Sequence, residues 1–420
     1  MARRFWVETL GCPKNQVDSD KLTWTLLADG LVAADAPEAA DLVVVNTCAF
    51  IEEARQESID TILGLSERQS RDGAELVVTG CMAERYGDEL AEALPEADVV
   101  VGFGVPVHLG PTRSKAQAPP SFDLLNLPRP APTAPWAYVK VAEGCDRACG
   151  FCAIPSFRGP QRSRSVDAIV AEAESLAAGG VQEIVLVAQD LAAYGRDQGK
   201  GERRIVELVE AINDLVARVR LLYLYPSDLT PSLVRAIFAT GVPYFDLSLQ
   251  HVSRPLLRRM RRWGDGDRFL ARIEEIRAET PEATFRSSFI VGYPGETEQD
   301  HDRLLRFLEH AQLDWVGFFP YSREDGTYAA DLDGAVDPQL MAERLHELRE
   351  LQDPITAARR DALTGTVVEV LVDRPGVARS HREAPEIDGI ITVPTSLDVG
   401  SFAKVRVVGA AGPDLEAELS

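Results

Sequence analysis

Six cysteines stand in this 420-residue chain, and their spacing sorts them into two sets of three. Cys145, Cys149 and Cys152 lie within "EGCDRACGFCAIPSFRG", Glu143 to Gly159, at gaps of three and then two residues. Ferredoxin-type clusters use C-x2-C-x2-C, and zinc sites pair C-x2-C with a distant second pair. This chain has neither. Three local thiolates on a cubane of four irons leave one iron free to bind a substrate, which gives the spacing a chemical purpose. A redox-inert zinc site is the competing assignment, because short motifs also match by chance.

Cys12, Cys48 and Cys81 are distant in sequence, yet each stands one to three residues beyond a strand-like run: "RRFWVETLG", "DLVVVNT" and "AELVVTG". In a parallel sheet the C-terminal strand ends lie side by side, and ligands bind in the crevice there. Three scattered thiols can therefore meet at one site. The plainer alternative is three small core residues, since free cysteine packs as a small hydrophobe. Convergence predicts a second cluster.

The elements that must position these thiols fall into three blocks. In the first, helical spacing runs from about Lys14 to Gly30, along "IEEARQESIDTILGL" and along "MAERYGDELAEAL". Strands alternating with helices imply a parallel sheet with helical crossovers. From Pro111 to Pro135 the chain holds seven prolines and no periodicity, which reads as a linker. A second block opens with "APWAYVKVAEGC" and continues through "EIVLVAQ", "VRLLYLYP", "YFDLSLQH", "TFRSSFIVGYP" and "DWVGFFPYS". Six such units are too few for a closed eight-fold barrel. A partial (β/α)6 barrel is expected, with active residues on the loops at strand C-terminal ends. In "SVDAIVAEAESLAAGG", Ser165 is placed to cap a helix and Gly179–Gly180 to end it. A polar helix from about Pro338 to Arg360 leads to "TGTVVEVLVD", "GIITVPTS" and "FAKVRVVGA", short strands with glycine and proline turns that predict a small β-barrel. The fold class is α/β, with domains at residues 1–112, 135–354 and 355–420 and a linker at 113–134.

The net charge of −22 argues against general nucleic-acid binding, which needs clustered Lys and Arg, and it suits a basic partner. No apolar run approaches a membrane span, and "MARRFWVETLGC" lacks the apolar stretch of a signal peptide. A cytoplasmic protein is expected. A reducing compartment disfavours disulfides, so the six cysteines point to metal or catalysis.

The spacing of Cys145, Cys149 and Cys152, with Phe151 before the last of them, resembles the cluster motif of the radical S-adenosylmethionine superfamily. Over nearly its whole length the chain resembles the methylthiotransferases, which join a three-cysteine domain, a radical domain and a TRAM barrel. "GYPGET", Gly292 to Thr297, matches the strand end that lies against the adenine in the superfamily, although alone it is only a tight turn before a helix. The resemblance implies cofactor contacts at Phe151, Gly292, Gly295 and Glu296. It also implies two 4Fe–4S clusters, on Cys12, Cys48 and Cys81 and on Cys145, Cys149 and Cys152, with S-adenosylmethionine as cosubstrate.

Three stretches, "ETLGCPKNQVDSD", "PYSREDGT" and "RSHREAPEIDG", resemble the branch that modifies a ribosomal protein. The tRNA-modifying branch usually has glutamine and methionine where this chain has Pro13 and Lys14. The reaction implied by this resemblance is β-methylthiolation of one aspartate in ribosomal protein S-twelve, with an electron donor such as flavodoxin or ferredoxin and no requirement for nucleic acid or membrane. A radical route avoids a carbanion beside a carboxylate, and the cofactor supplies the hard step. The rivals are a tRNA adenosine methylthiotransferase, an iron–sulfur electron carrier and a zinc-stabilised binding module. From Arg360 onward ten Asp and Glu stand against six Lys and Arg, which suits a basic protein better than tRNA phosphate. Glu386 and Asp388 of "APEIDG" are expected on a loop facing that partner. One departure from the family is "AQDLAAYG", where a threonine-rich turn would follow Asp190; it touches the contacts of Tyr194.

Other residues carry less. Arg254, Arg258, Arg261 and Arg262 fall on one helical face, more readily a solvated face than a phosphate site. His251 ends a barrel strand, where a structural hydrogen bond is as good an account as catalysis. Gln189 and Asp190 end "EIVLVAQ" and could line the cofactor pocket.

Overall fold

The computed structural model describes residues 2–69, 73–107, 123–199 and 201–420. The first block holds β1 (Arg4–Thr9), α1 (Pro13–Ala28), β2 (Val32–Ala33), β3 (Leu42–Thr47), α2 (Glu52–Gln69), β4 (Glu75–Gly80), α3 (Cys81–Ala93) and β5 (Val99–Val100). These strands form one sheet in the order β2-β1-β3-β4-β5, parallel throughout. Every residue of the central strand β3 is buried. Helices on both faces explain why it reads as an unbroken apolar run and not as an alternation.

The second block runs through β6 (Trp136–Lys140), β7 (Ala142–Glu143), α4 (Ile154–Arg158), β8 (Arg162–Ser163), α5 (Val166–Ala178) and β9 (Glu183–Val187). It continues with α6 (Ile205–Asn213), β10 (Arg218–Leu221), α7 (Pro231–Ala239), β11 (Tyr244–Gln250), α8 (Arg254–Arg259) and α9 (Gly266–Glu279). It ends with β12 (Thr284–Val291), α10 (Glu298–Ala311), β13 (Trp315–Pro320) and α11 (Pro338–Asp361). Ser165 caps α5 by accepting from the Ala168 N–H, and Gly179 ends it. The six main strands form an arc of two parallel sheets, β10-β9-β6 and β11-β12-β13, joined by a single bridge from Leu224 to Leu247.

β6 and β13 are the free edges of the arc; α1 of the first domain packs along β6, and α2 and α3 meet the loop just beyond β13. Along β6, Asp18 of α1 pairs with Lys140, and Val17 clusters with Tyr138. Beyond β13, Glu324 takes both Arg55 of α2 and Arg85 of α3 at 2.5 Å each. Of the proline-rich stretch, residues 111–122 lie outside the described residues. The remainder is packed and not loose: Leu124 and Leu125 are buried, and Lys21 donates to the Leu125 carbonyl at 2.5 Å.

The third block is a closed barrel of β14 (Val367–Arg374), β15 (Val377–Arg379), β16 (Ile391–Thr392), β17 (Phe402–Ala411) and β18 (Asp414–Leu419), in the order β14-β15-β16-β18-β17. The sequence suggested three of these strands. β18 was hidden because only Leu415 and Ala417 of "DLEAEL" turn inward.

Contrary to expectation, Asp388 does not face a partner; its carboxylate accepts from the Tyr244 hydroxyl at 2.6 Å and meets Arg286 at 3.3 Å. The segment around it plugs the central barrel. Ala384 packs among Tyr138, Val185, Leu222, Tyr244 and Trp315, while Arg379 joins Arg220 on the buried Glu183 carboxylate. Glu386 alone of the pair stays exposed.

Candidate active site

The first three thiols sit where three parallel strands end and three helices begin. Cys12 precedes the first turn of α1, Cys48 follows β3 directly, and Cys81 opens α3. Their proximity is visible in the backbone. Gly11 has φ +94°, and a Cβ built there would lie 2.8 Å from Cys48 Cβ and 2.9 Å from its Sγ. Asn15 ties the strand ends together, its Nδ2 donating to the Leu10 and Thr47 carbonyls at 2.9 and 3.0 Å. Arg158 then arrives from the central domain. Its Nη2 donates to Cys81 Sγ at 2.9 Å and to Asn15 Oδ1 at 2.8 Å, and its Nη1 meets Glu143 and Asp18.

Charge follows this geometry. Burial raises the Cys12 thiol, but Lys14, Arg158 and the N–H groups of Asn15 and Lys14 outweigh it and leave it below the ordinary value. Burial, with Cys12 and Cys81 adding to it, pushes Cys48 up to about 12. Burial also raises Cys81, against the pull of Arg158.

The second set is held on the loop between β7 and α4. Cys145 donates its N–H to the Gly159 carbonyl at 3.1 Å, and its Sγ accepts from the Arg147 N–H at 3.4 Å. Gly150 donates to the Met260 carbonyl at 2.8 Å, and a Cβ there would come within 2.9 Å of the Tyr293 hydroxyl. Burial pushes Cys145 up to about 11 and Cys152 to about 12. Metal-free thiols of this kind keep their protons, so loading metal must release them.

The arginine cluster departs from the expected helical face. α8 stops at Arg259, and Arg261 turns to φ +55°, so Arg261 and Arg262 do not continue that face. Arg262 is buried, donates to Cys149 Sγ at 3.2 Å and stacks on Tyr225. Each thiol set thus has one guanidinium on one sulfur.

The other anticipated residues surround the second set or brace its walls. Gln189 donates to Glu143 at 2.6 Å, Asp190 accepts from Arg147 at 2.5 Å, and each keeps one buried oxygen without a partner. Phe151 packs against the central core. Gly292 and Gly295 both have positive φ, with Met341 and Arg259 respectively where a Cβ would go. Glu296 braces this turn from behind, accepting from the Gly292 N–H at 2.6 Å and pairing with Arg344 at 3.0 Å. His251 is structural: Nδ1 accepts from the Ser253 N–H at 3.0 Å, and burial drives its pKa to about 3. Tyr194 is buried, its hydroxyl donating to the Arg164 carbonyl at 2.8 Å.

Arg158, Lys140 and Glu143 were missed in the sequence, where isolated charges around a cysteine motif carry no periodic signal, and Glu324 lies in "PYSREDGT", where its acid was given no role. Among the described residues no three His, Cys, Asp or Glu side chains gather closely enough for a single ion. A polynuclear cluster takes its thiolates at separate corners, and soft sulfur donors with arginine on the sulfur and spare buried oxygens alongside fit such a group.

Three family models match along the chain: the uncharacterized protein family UPF0004 at residues 4–102, the radical SAM superfamily at 139–308 and the TRAM domain at 364–419. Ribosomal protein uS12 methylthiotransferase RimO of Moorella thermoacetica is 45% identical over 404 residues, covering 93% of each chain. The protein of the same name from Saccharopolyspora erythraea is 41% identical, covering 99% of this chain and 94% of its own. Among solved structures, the radical S-adenosylmethionine methyltransferase TsrM from Kitasatospora setae superposes with a TM-score of 0.52 at 14% identity, over 90% of this chain and 80% of that one. That likeness concerns the fold. Two thiol sets on a parallel sheet and a partial barrel, a closed C-terminal barrel and this identity along the full length together mean that the chain belongs to the RimO family of radical SAM ribosomal protein uS12 methylthiotransferases.

Proposed function

We propose that the protein carries two 4Fe–4S clusters and uses both to place a methylthio group on the β-carbon of one aspartate in uS12. Cys145, Cys149 and Cys152 hold the cluster that binds S-adenosylmethionine, beside Phe151, Gly292 and Gly295, with Glu296 acting through the turn it braces. Cys12, Cys48 and Cys81 would hold the second cluster, which would supply the sulfur and methyl group for transfer. When bound, the central cluster and S-adenosylmethionine supply the radical that removes hydrogen from the aspartate β-carbon. The chain's own residues orient and seal the site. Arg158 and Arg262 hold a sulfur of each set, and Glu324 with Arg55 and Arg85 keeps the first domain against the barrel. An electron donor such as flavodoxin or ferredoxin, a cytoplasmic setting and domains at 1–112, 135–354 and 355–420 complete the reading.

One observation carries it. Arg158 touches Cys81 of the first set and Glu143, two residues before Cys145 of the second, so one guanidinium ties together the two cysteine-bearing segments. A substrate that is not a nucleic acid is supported by the exposed acids Asp361, Glu369, Glu386, Asp398, Glu416 and Glu418. No helix among the described residues is long and apolar enough to cross a membrane. The test is Mössbauer spectroscopy and iron analysis of anaerobically reconstituted protein. Two clusters are expected in the natural chain and one each in Cys145→Ala and Cys48→Ala. Two clusters in Cys48→Ala would sink the second site.

A further inference from the structure

The proposed reaction brings an aspartate side chain to the two thiol-bearing segments, and its carboxylate needs a counter-charge there. An unpaired carboxylate withdrawn from water costs several kcal/mol. Most cations around the two thiol sets are already engaged. Arg158 serves Cys81, Asn15, Asp18 and Glu143, and Lys140 serves Asp18 and Glu143. Arg147 serves Asp190 and Asp228, Arg262 serves Cys149 and the Ser248 carbonyl, and Arg286 lies between Asp246 and Asp388.

Lys14 differs. It stands in the first turn of α1, two residues after Cys12, half-buried, and no carboxylate among the described residues pairs with it. Its Nζ sits 3.4 Å from the ring centroid of Tyr223. Tyr223 lies two residues past the end of β10 with φ +63°, a conformation disfavoured for a bulky residue, and donates its N–H to Asp246 at 2.9 Å. An ammonium resting on an aromatic face, with donors still open, beside the first thiol set and over the barrel mouth, is a receptor for one carboxylate.

We propose that Lys14 binds the carboxylate of the substrate aspartate and thereby selects aspartate at the modified position; this rests on the uS12 reading above. The experiment uses the full-length reconstituted protein with uS12 and with uS12 whose target aspartate is changed to asparagine. The natural chain should prefer the aspartate form. Lys14→Met should lower kcat/KM for that form by ~30-fold or more, as removal of one partner from a desolvated charge pair does. Its preference over the asparagine form should collapse, its affinity for uS12 should weaken and its iron content should stay level. Lys14→Arg should keep the preference. The proposal is overturned if Lys14→Met still discriminates. It is equally overturned if that variant loses iron, because Lys14 then acts through Cys12. If the natural chain modifies neither form of uS12, the substrate reading itself fails and the inference falls with it.

Discussion

Gly11→Ala tests the convergence of the first three thiols with a single methyl group. At φ +94° an alanine carries a left-handed backbone penalty of about 1–2 kcal/mol. The second effect is local. The new Cβ would stand 2.9 Å from Cys48 Sγ. Ordinary heavy-atom contact is ~3.5–4.0 Å, so the thiol must retreat by roughly 0.6 Å or more. Metal sites tolerate ligand displacements of about 0.2 Å, so the first cluster should fail to assemble or leak iron readily. Gly30→Ala is the matched control: its φ is +84°, and nothing lies within 4 Å of the added Cβ. Both variants share the backbone strain, and only one moves a thiol. Iron analysis and Mössbauer spectra should show one cluster in Gly11→Ala and two in Gly30→Ala. Two intact clusters in Gly11→Ala would refute the claim that Cys12 and Cys48 serve one site.

Glu324→Ala leaves Arg55 and Arg85 without their shared carboxylate, a loss of about 3–5 kcal/mol for a buried pair. Limited proteolysis should then release the first domain, and methylthio transfer should drop while 5′-deoxyadenosine still forms; unchanged protease resistance would contradict this. Deleting the chain from Asp361 onward should unfold the central barrel and not merely remove a recognition module, since Ala384, Arg379 and Asp388 leave with it. Soluble truncated protein that produces 5′-deoxyadenosine at the full rate would show the plug to be dispensable. His251 stays neutral in the fold down to about pH 3 but takes a proton near 6.5 when unfolded, with Asp300 favouring its charge and burial, His301 and Arg344 opposing it. Its stabilising contribution is therefore complete above pH 6.5 and lost as pH falls towards 3, at about 1.4 kcal/mol per pH unit. Urea unfolding across that window should give a shallower slope in His251→Asn, and equal slopes would remove His251 from the account.

Much of the fold was legible because the periodic signals were strong. The buried run of β3, the cap at Ser165 and the glycines after α5 are local rules that the fold obeys. The cysteines were legible for a topological reason: parallel strand ends must lie together, so Cys12, Cys48 and Cys81 could be brought together on paper. What stayed hidden lives in contacts between domains. Arg262 looked like part of a helical face because nothing in "RRMRRW" announces that α8 ends at Arg259. Asp388 looked exposed because glycine and proline surround it, whereas its partners Tyr244 and Arg286 lie more than a hundred residues away. Arg158 gave no sign that its thiol partner sits in another domain.

The most direct test is tandem mass spectrometry of uS12 after incubation with reconstituted protein, S-adenosylmethionine and a reductant. The account predicts that one aspartate gains the mass of an SCH2 unit, and that Cys48→Ala yields 5′-deoxyadenosine but unmodified uS12. Methylthiolated uS12 from Cys48→Ala, or a natural chain that consumes S-adenosylmethionine and leaves every aspartate unchanged, would contradict it.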